Sequence, residues 1–241
     1  MLYAPEGEPA MAVVVSVNVG RAQATEHSSV GVSAIDKRPV EGPVEVRAPG
    51  SKRDGLGSGL VGDAICDRRH HGGDDQAVYA YAREDLDRWA AALLRPLENG
   101  AFGENLTTAE IEVTGALIGE RWRIGRGLVL EVSCPRIPCR TFAGWLGERG
   151  WVKRFTREAR PGAYLRVIER GVVQRSDAIE VIDRPAHDIT ISVVFRAWTL
   201  QPLLLERVLE VVALPAADVP KAKEKLEQAR KAPASSVLAE D

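Results

Sequence analysis

The sequence predicts a mainly β protein: a closed or nearly closed barrel with a few helices, followed by a small three-helix module, α+β overall. Three observations carry that expectation. Short apolar runs, several of them alternating with polar residues, recur between residues 110 and 183 with glycines between them. A single amphipathic helix interrupts the first half of the chain. From residue 186 onward the periodicity becomes helical throughout.

Taken in order, Val13 to Val19 is β-branched, short and stopped by Gly20, which reads as a first strand. Gly31 to Gly62 is dense in glycine, proline and charge. Within it Val44 to Val46 is extended and Pro49 to Gly59 (PGSKRDGLGSG) reads as a mobile loop. Asp63 to Asp67 alternates like a strand, with Cys66 among its inward positions. Glu84 to Leu94 places Leu86, Trp89, Ala90, Leu93 and Leu94 on one helical face, and Arg95-Pro96 ends it. Strands are then expected at Glu110–Thr114, Arg121–Ile124, Leu128–Ser133, Tyr164–Ile168 and Ala178–Ile182. Helices follow at Asp188–Trp198, Gln201–Val212 and Asp218–Lys231, with Pro202 and Pro220 near their starts, where proline is tolerated. The expected organisation is a disordered lead over 1–10, a barrel domain over 11–185, a helical module over 186–232 and a disordered tail over 233–241.

Composition excludes several function classes. The 241 residues carry 32 Lys+Arg against 34 Asp+Glu, so no global basic field favours a nucleic acid polymer. No apolar run approaches the roughly 18 residues of a membrane span. An odd count of 3 cysteines and a lead without a basic n-region point to a reducing, cytoplasmic setting. Gly57 to Gly62 matches the dinucleotide pattern G-x-G-x-x-G, but a charged loop precedes it and no helix opens on it, so NAD binding is not expected. Cys134 and Cys139 lack a second ligand pair at zinc spacing, so zinc is not expected either. Asn105-Leu106-Thr107 is formally a glycosylation triplet, which without a secretory signal stays unmodified.

Three segments are chemically unusual. Arg68 to Asp74 sets His70 and His71 beside Gly72 and Gly73, glycines that let backbone N–H groups approach an anion. Neighbouring histidines on an extended chain point to opposite faces, so at most one shares a pocket. A solvated basic turn is the equal alternative. Gly100 to Thr108 combines Phe102, Glu104, Asn105, Thr107 and Thr108, a set suited to a polar ligand or to a capped turn after the helix. Ser133 to Arg140 (SCPRIPCR) fixes Cys139 between two prolines and two arginines, Arg136 and Arg140. A rigid thiolate near cations serves as a nucleophile, a sulfur carrier or a soft-metal ligand. Cys66, and with it Cys134, reads instead as a buried small hydrophobe.

In combination, HHGGDDQAVYAYAREDLDRW (His70–Trp89), GAFGENLTT (Gly100–Thr108), IGERWRIG (Ile118–Gly125) and LEVSCPRIPC (Leu130–Cys139) resemble the MOSC domain family. The name stands for molybdenum cofactor sulfurase C-terminal domain, and within the family the chain resembles the stand-alone YiiM-type branch, in which a three-α module follows the barrel. The resemblance implies a β-barrel holding a molybdenum-pterin cofactor (molybdopterin), with Cys139 as both metal ligand and catalytic residue. His70, His71, Gly72, Gly73, Phe102, Asn105, Thr107 and Thr108 would then line the cofactor pocket, and Arg136 would meet its phosphate. Two features depart from the family pattern. Cys134 stands where a non-thiol such as glutamine is expected, which leaves a Cys134/Cys139 disulfide or shared reactivity open. The Pro39–Gly59 loop and the N-terminal lead are unaccounted for.

The resemblance implies a molybdenum-dependent oxidoreductase acting on N-hydroxylated small molecules such as hydroxylaminopurine-type base analogues. The chain carries no haem, flavin or iron–sulfur signature, so a separate electron-donating reductase is implied. The alternative is a carrier that holds the cofactor, or a persulfide on Cys139, without turning over a substrate. A barrel kept only for interaction is the third reading. The helical module is expected to pack on the barrel, with homodimerisation the alternative its surplus leucines allow.

Overall fold

The computed structural model describes residues 11–231, so the expected lead over 1–10 and tail over 233–241 lie outside the described residues. In chain order the strands are β1 (Val13–Gly20), β2 (Gln23–Ala24), β3 (Val32–Ser33), β4 (Lys37–Pro39), β5 (Val44–Val46) and β6 (Val78–Ala82). Helix α1 (Arg83–Leu93) precedes β7 (Leu106–Ala109), β8 (Arg121–Ile124) and β9 (Leu128–Pro135). Helices α2 (Arg140–Leu146) and α3 (Trp151–Glu158) come before β10 (Ala163–Glu169), β11 (Gly171–Val173) and β12 (Ile179–Asp183). Helices α4 (Ile191–Thr199), α5 (Leu205–Val211) and α6 (Val219–Lys231) complete the described chain.

The main sheet runs β12-β8-β9-β10-β6-β7-β1-β4. It closes on itself where the start of β1 meets the start of β12, through a Val13–Ala178 bridge and a hydrogen bond of 2.8 Å from Ile179 N to Ala12 O. This contact covers the start of β12, and the short β4, paired with β1 alone, remains as the other end of the sheet. The β6–β7 pair is parallel, and every other strand pair is antiparallel.

β6 separates two cores. Val78, Ala80 and Ala82 face the barrel interior, where they join Val14, Leu106, Trp122 and Leu130. Tyr79 and Tyr81 face outward into an aromatic layer with Trp89, Phe102, Phe142, Trp151 and Phe155. Both faces are buried, so β6 shows no apolar–polar alternation and the sequence pattern passed over it. Helices α2 and α3 were passed over too; they are short and build the outer wall of the aromatic layer.

The expected strand at Glu110–Thr114 is absent. Pairing stops at Ala109, and Glu110 takes a left-handed φ of 60° that breaks the ladder. The strand is instead the Leu106–Ala109 segment, buried between β1 and β6. Asp63–Asp67 pairs with no strand, and Gly57–Gly62 runs through turns with no helix opening on it. Helix α1 ends one residue before its expected close, because Leu94 adopts a left-handed φ of 55° and caps Ala90 and Ala91. In the C-terminal segment Ile189, Ile191, Val194, Ala197, Leu205, Val208, Ala222 and Leu226 belong to the same buried cluster as the barrel residues. The module therefore packs on the barrel.

Candidate active site

The strand-end loop after β9 builds the site. Arg136 leaves the strand buried beneath the aromatic layer, and its Nη1 donates to the carbonyl of Phe102. Its guanidinium carbon lies 4.0 Å from the centroid of Phe142 and 5.1 Å from that of Tyr79. No carboxylate pairs with it among the described residues. Three residues on, Cys139 stands at the start of α2, half-buried, with its carbonyl accepting from Ala143 N at 3.0 Å. Pro135 and Pro138 stiffen the connection.

Arg136 and Cys139 open onto an inner cavity of about 110 Å³, which Lys37, Cys66, His71, Gln76, Asn105 and Tyr164 also line. A larger vestibule of about 480 Å³ continues outward, sharing Cys139, His71, Gln76 and Tyr164 with the cavity and bounded by Trp198 and Lys221 of the C-terminal helices.

The floor is an ionic network. Lys37 pairs with the fully buried carboxylate of Asp63, which also accepts from Ser58 Oγ at 2.7 Å, Gly20 N at 2.8 Å and Asn105 Nδ2 at 3.0 Å. Burial holds the Lys37 ammonium below the ordinary lysine range, against the opposing pull of Asp63. Asn105 also donates to Asn18 O at 3.3 Å and accepts from Tyr79 N at 3.1 Å. Its amide donors are therefore spent on the protein, and it acts as a clamp between β1 and β6.

The histidines separate as an extended pair would, although the segment is a turn. His71 lines both cavities, and burial followed by the charge of Arg136 pushes its imidazole down to about 4. His70 faces solvent at the vestibule rim, 3.1 Å from Asp67 Oδ2. Gly72 holds the turn at φ +83°, where a Cβ would meet the Gly57 carbonyl oxygen at 2.6 Å.

Several expected cofactor-binding residues stand behind the wall instead. Phe102 is fully buried in the aromatic layer, and only its carbonyl serves the site. Thr107 donates to Glu104 Oε1 at 2.9 Å and accepts from Asn18 Nδ2 at 3.1 Å, while Thr108 is buried with its hydroxyl unpartnered. Gly73 packs on the backbone of Lys52 rather than lining the cavity. Glu104 accepts from Gly100 N at 2.6 Å and Phe102 N at 3.0 Å, which fixes this loop beneath Arg136.

Other lining residues were missed from the sequence: Lys37, Cys66, Gln76, Tyr79 and Tyr164. Gln76 lies inside the His70–Trp89 motif, and that position was the available signal. Its Oε1 is buried with no partner. Tyr164 joins the two cavities, and burial pushes its phenol up to about 12, so the proton stays on. All three cysteines are free. Cys134 is buried, 3.7 Å from Asp75 O, with burial pushing its thiol up to about 12. Among the described residues no three His, Cys, Asp or Glu side chains converge as a metal cage. No helix among them is long and apolar enough to cross a membrane.

Comparison with known proteins agrees with this architecture. The model of the MOSC domain matches residues 67–180. The uncharacterized protein YflK of Bacillus subtilis is 33% identical over 179 residues, 74% of this chain and 76% of that protein. A protein named reductase from Gibberella moniliformis is 30% identical over 230 residues, 92% of this chain but only 39% of its own length. The crystal structure of YiiM from Geobacillus stearothermophilus superposes with a TM-score of 0.70 at 24% identity, over 89% of this chain and 99% of that one. With the closed barrel, the strand-end cysteine and the C-terminal helices in place, this chain belongs to the MOSC domain family, and its fold is that of the YiiM structure.

Proposed function

We propose that the protein binds a molybdenum-pterin cofactor through Cys139 and reduces N-hydroxylated small molecules, hydroxylaminopurine-type bases among them. The observation that carries this reading is Arg136: a buried guanidinium with no carboxylate partner among the described residues, facing a cavity that also holds a half-buried thiol. A buried unpaired cation is costly, and an anionic ligand offsets that cost. MOSC domains are associated with the molybdenum cofactor, and the residues present fit such a group. Arg136 offers a planar fork for a phosphate, the orphan Oε1 of Gln76 offers an acceptor for a ring N–H, and Cys139 offers a soft sulfur ligand.

When bound, the cofactor supplies a redox metal able to deliver an electron pair to an N–O bond. Reduction of R–NHOH to R–NH2 and water then consumes two electrons, drawn from a separate reductase, and two protons. His71 is uncharged at neutral pH and offers hydrogen bonds without adding to the cationic wall. Tyr164 keeps its phenolic proton and lines both cavity and vestibule, so it would serve as a hydrogen-bond donor to a departing hydroxyl. Lys37 is paired with Asp63, which leaves Arg136 as the inner-cavity cation without a carboxylate partner among the described residues. The relative named reductase supports the oxidoreductase class, and a reducing cytoplasm suits three free thiols.

The test is molybdenum content by elemental mass spectrometry on protein from a cofactor-competent host, beside Cys139→Ala. Stoichiometric metal lost in the variant is expected, with amine released from hydroxylaminopurine by the loaded wild type under a reduced viologen donor. Metal and activity retained in Cys139→Ala, or no metal in either protein, would overturn the reading.

A further inference from the structure

Inner cavity and vestibule differ in charge logic. In the vestibule four cations, Lys52, Arg69, Arg140 and Lys221, face two carboxylates, Asp67 and Asp218. Both carboxylates are already committed. Asp67 holds Arg69 and His70, each at 3.1 Å, and Asp218 holds Lys221 at 3.0 Å. Lys52 and Arg140 pair with no carboxylate among the described residues. Lys52 Nζ reaches the His70 carbonyl at 3.4 Å, and Arg140 Nη2 reaches the Glu26 carbonyl at 3.3 Å. An ammonium has three donors and a guanidinium five, so both keep donors free for an anion.

The opposite character is present beside them. Trp198 lines the vestibule from α4, and Ile137 stands between Arg136 and Pro138 with 46% of its surface exposed. Ile137 thus presents aliphatic surface on a proline-stiffened loop that lines the vestibule. Indole and aliphatic surface suit the flat face of a heteroaromatic ring. The volume of about 480 Å³ falls in the roughly 300–1,000 Å³ range of small-molecule sites.

We propose that the vestibule is a nucleotide subsite, in which Lys52 and Arg140 take the phosphate of a nucleoside monophosphate and Trp198 and Ile137 take its base. This rests on the reductase reading and deepens it: the N-hydroxylated substrate enters as the nucleotide, with its base end toward Cys139. A free base would leave Lys52 and Arg140 unused. Two unpaired cations match the charge of about −1.5 to −2 on one phosphate monoester. Arg136, in the inner cavity, remains for the cofactor.

The experiment is isothermal titration of the full chain with adenosine 5′-monophosphate and with adenosine, repeated on Lys52→Ala and Arg140→Ala. The monophosphate is expected to bind about tenfold or more tightly than the nucleoside, each variant losing several-fold for the monophosphate and nothing for adenosine. Equal affinity for the two probes, or a phosphate preference that survives both substitutions, overturns the proposal. Release of a nucleotide-extended pterin that competes with the monophosphate also overturns it, since the same cations would then hold the cofactor. The titration needs neither metal nor electron donor, so the two readings fail separately. Phosphate-dependent binding by a protein that takes up no molybdenum sinks the reductase and keeps the subsite; a loaded, active enzyme indifferent to phosphate does the reverse.

Discussion

The guanidinium carbon of Arg136 lies 4.0 Å from the centroid of the Phe142 ring, on the first turn of the helix that Cys139 begins. One aromatic face thus holds the buried cation of the site and anchors the segment that presents its thiol. The charge is stabilised by ring faces and one carbonyl rather than by an acid, which leaves it available to a ligand.

Arg136→Met keeps the stem volume and removes the charge. The ligand-free protein should unfold at the wild-type temperature or a few degrees above it, because the substitution removes the desolvation cost of a buried cation that has no carboxylate partner. Molybdenum retained through purification should fall about tenfold or more. Differential scanning fluorimetry and elemental analysis of the same samples check both. Undiminished metal in Arg136→Met would remove the anion-anchoring role.

Lys37→Met acts in the opposite sense. It leaves the Asp63 carboxylate buried with only neutral donors, and a loss of about 3 kcal/mol is expected in urea denaturation. Adding Asp63→Asn should recover part of that loss. A single substitution within about 0.5 kcal/mol of wild type would show that the pair is not desolvated as its burial implies.

His71 gives a pH signature in the ligand-free protein. Its native pKa sits at about 4, below the ordinary 6.5, because burial and Arg136 disfavour the imidazolium. The unfolded chain therefore takes up a proton that the native state refuses as pH falls below 6.5. Stability from this residue is complete above about pH 6.5, declines toward pH 4 and levels off below, by at most about 3 kcal/mol. His71→Gln should flatten that part of the stability–pH curve. An unchanged slope between pH 6.5 and 4 would assign the effect elsewhere.

Thiol chemistry should discriminate sharply between Cys134 at the end of β9 and Cys139 at the start of α2. Cys139 is half-buried on the cavity wall, whereas Cys134 is buried with its thiol pushed up to about 12. Iodoacetamide at pH 8 should label Cys139 about tenfold or more faster than Cys134, as read by peptide mass spectrometry. Comparable rates would mean that the end of β9 opens in solution.

Legibility in the sequence followed the physics of each element. β8 matches its expected span, because Arg121–Ile124 alternates on a half-exposed strand. β6 was passed over because both its faces are buried, and Glu110–Thr114 was misread because a left-handed Glu110 ends pairing where local composition still favours a strand. At the site, Cys139, Arg136, His71 and Gly72 were legible as unusual local chemistry. Lys37, Cys66 and Tyr164 were not, since each comes from a segment with an ordinary pattern and meets the others only across the barrel end.

By itself the sequence determined the class of the fold, the family and the rigid Pro-Arg-x-Pro-Cys segment that presents a thiol, because these depend on residues near one another in the chain. Which groups surround that thiol was decided only in three dimensions. Closure of β1 on β12 and the burial of both faces of β6 bring Lys37, His71, Gln76 and Tyr164 to one cavity and leave Thr107, Thr108 and Phe102 behind its wall. The reason is physical: local propensity fixes backbone direction, while burial and hydrogen-bond satisfaction across distant segments fix which side chains face the space between them.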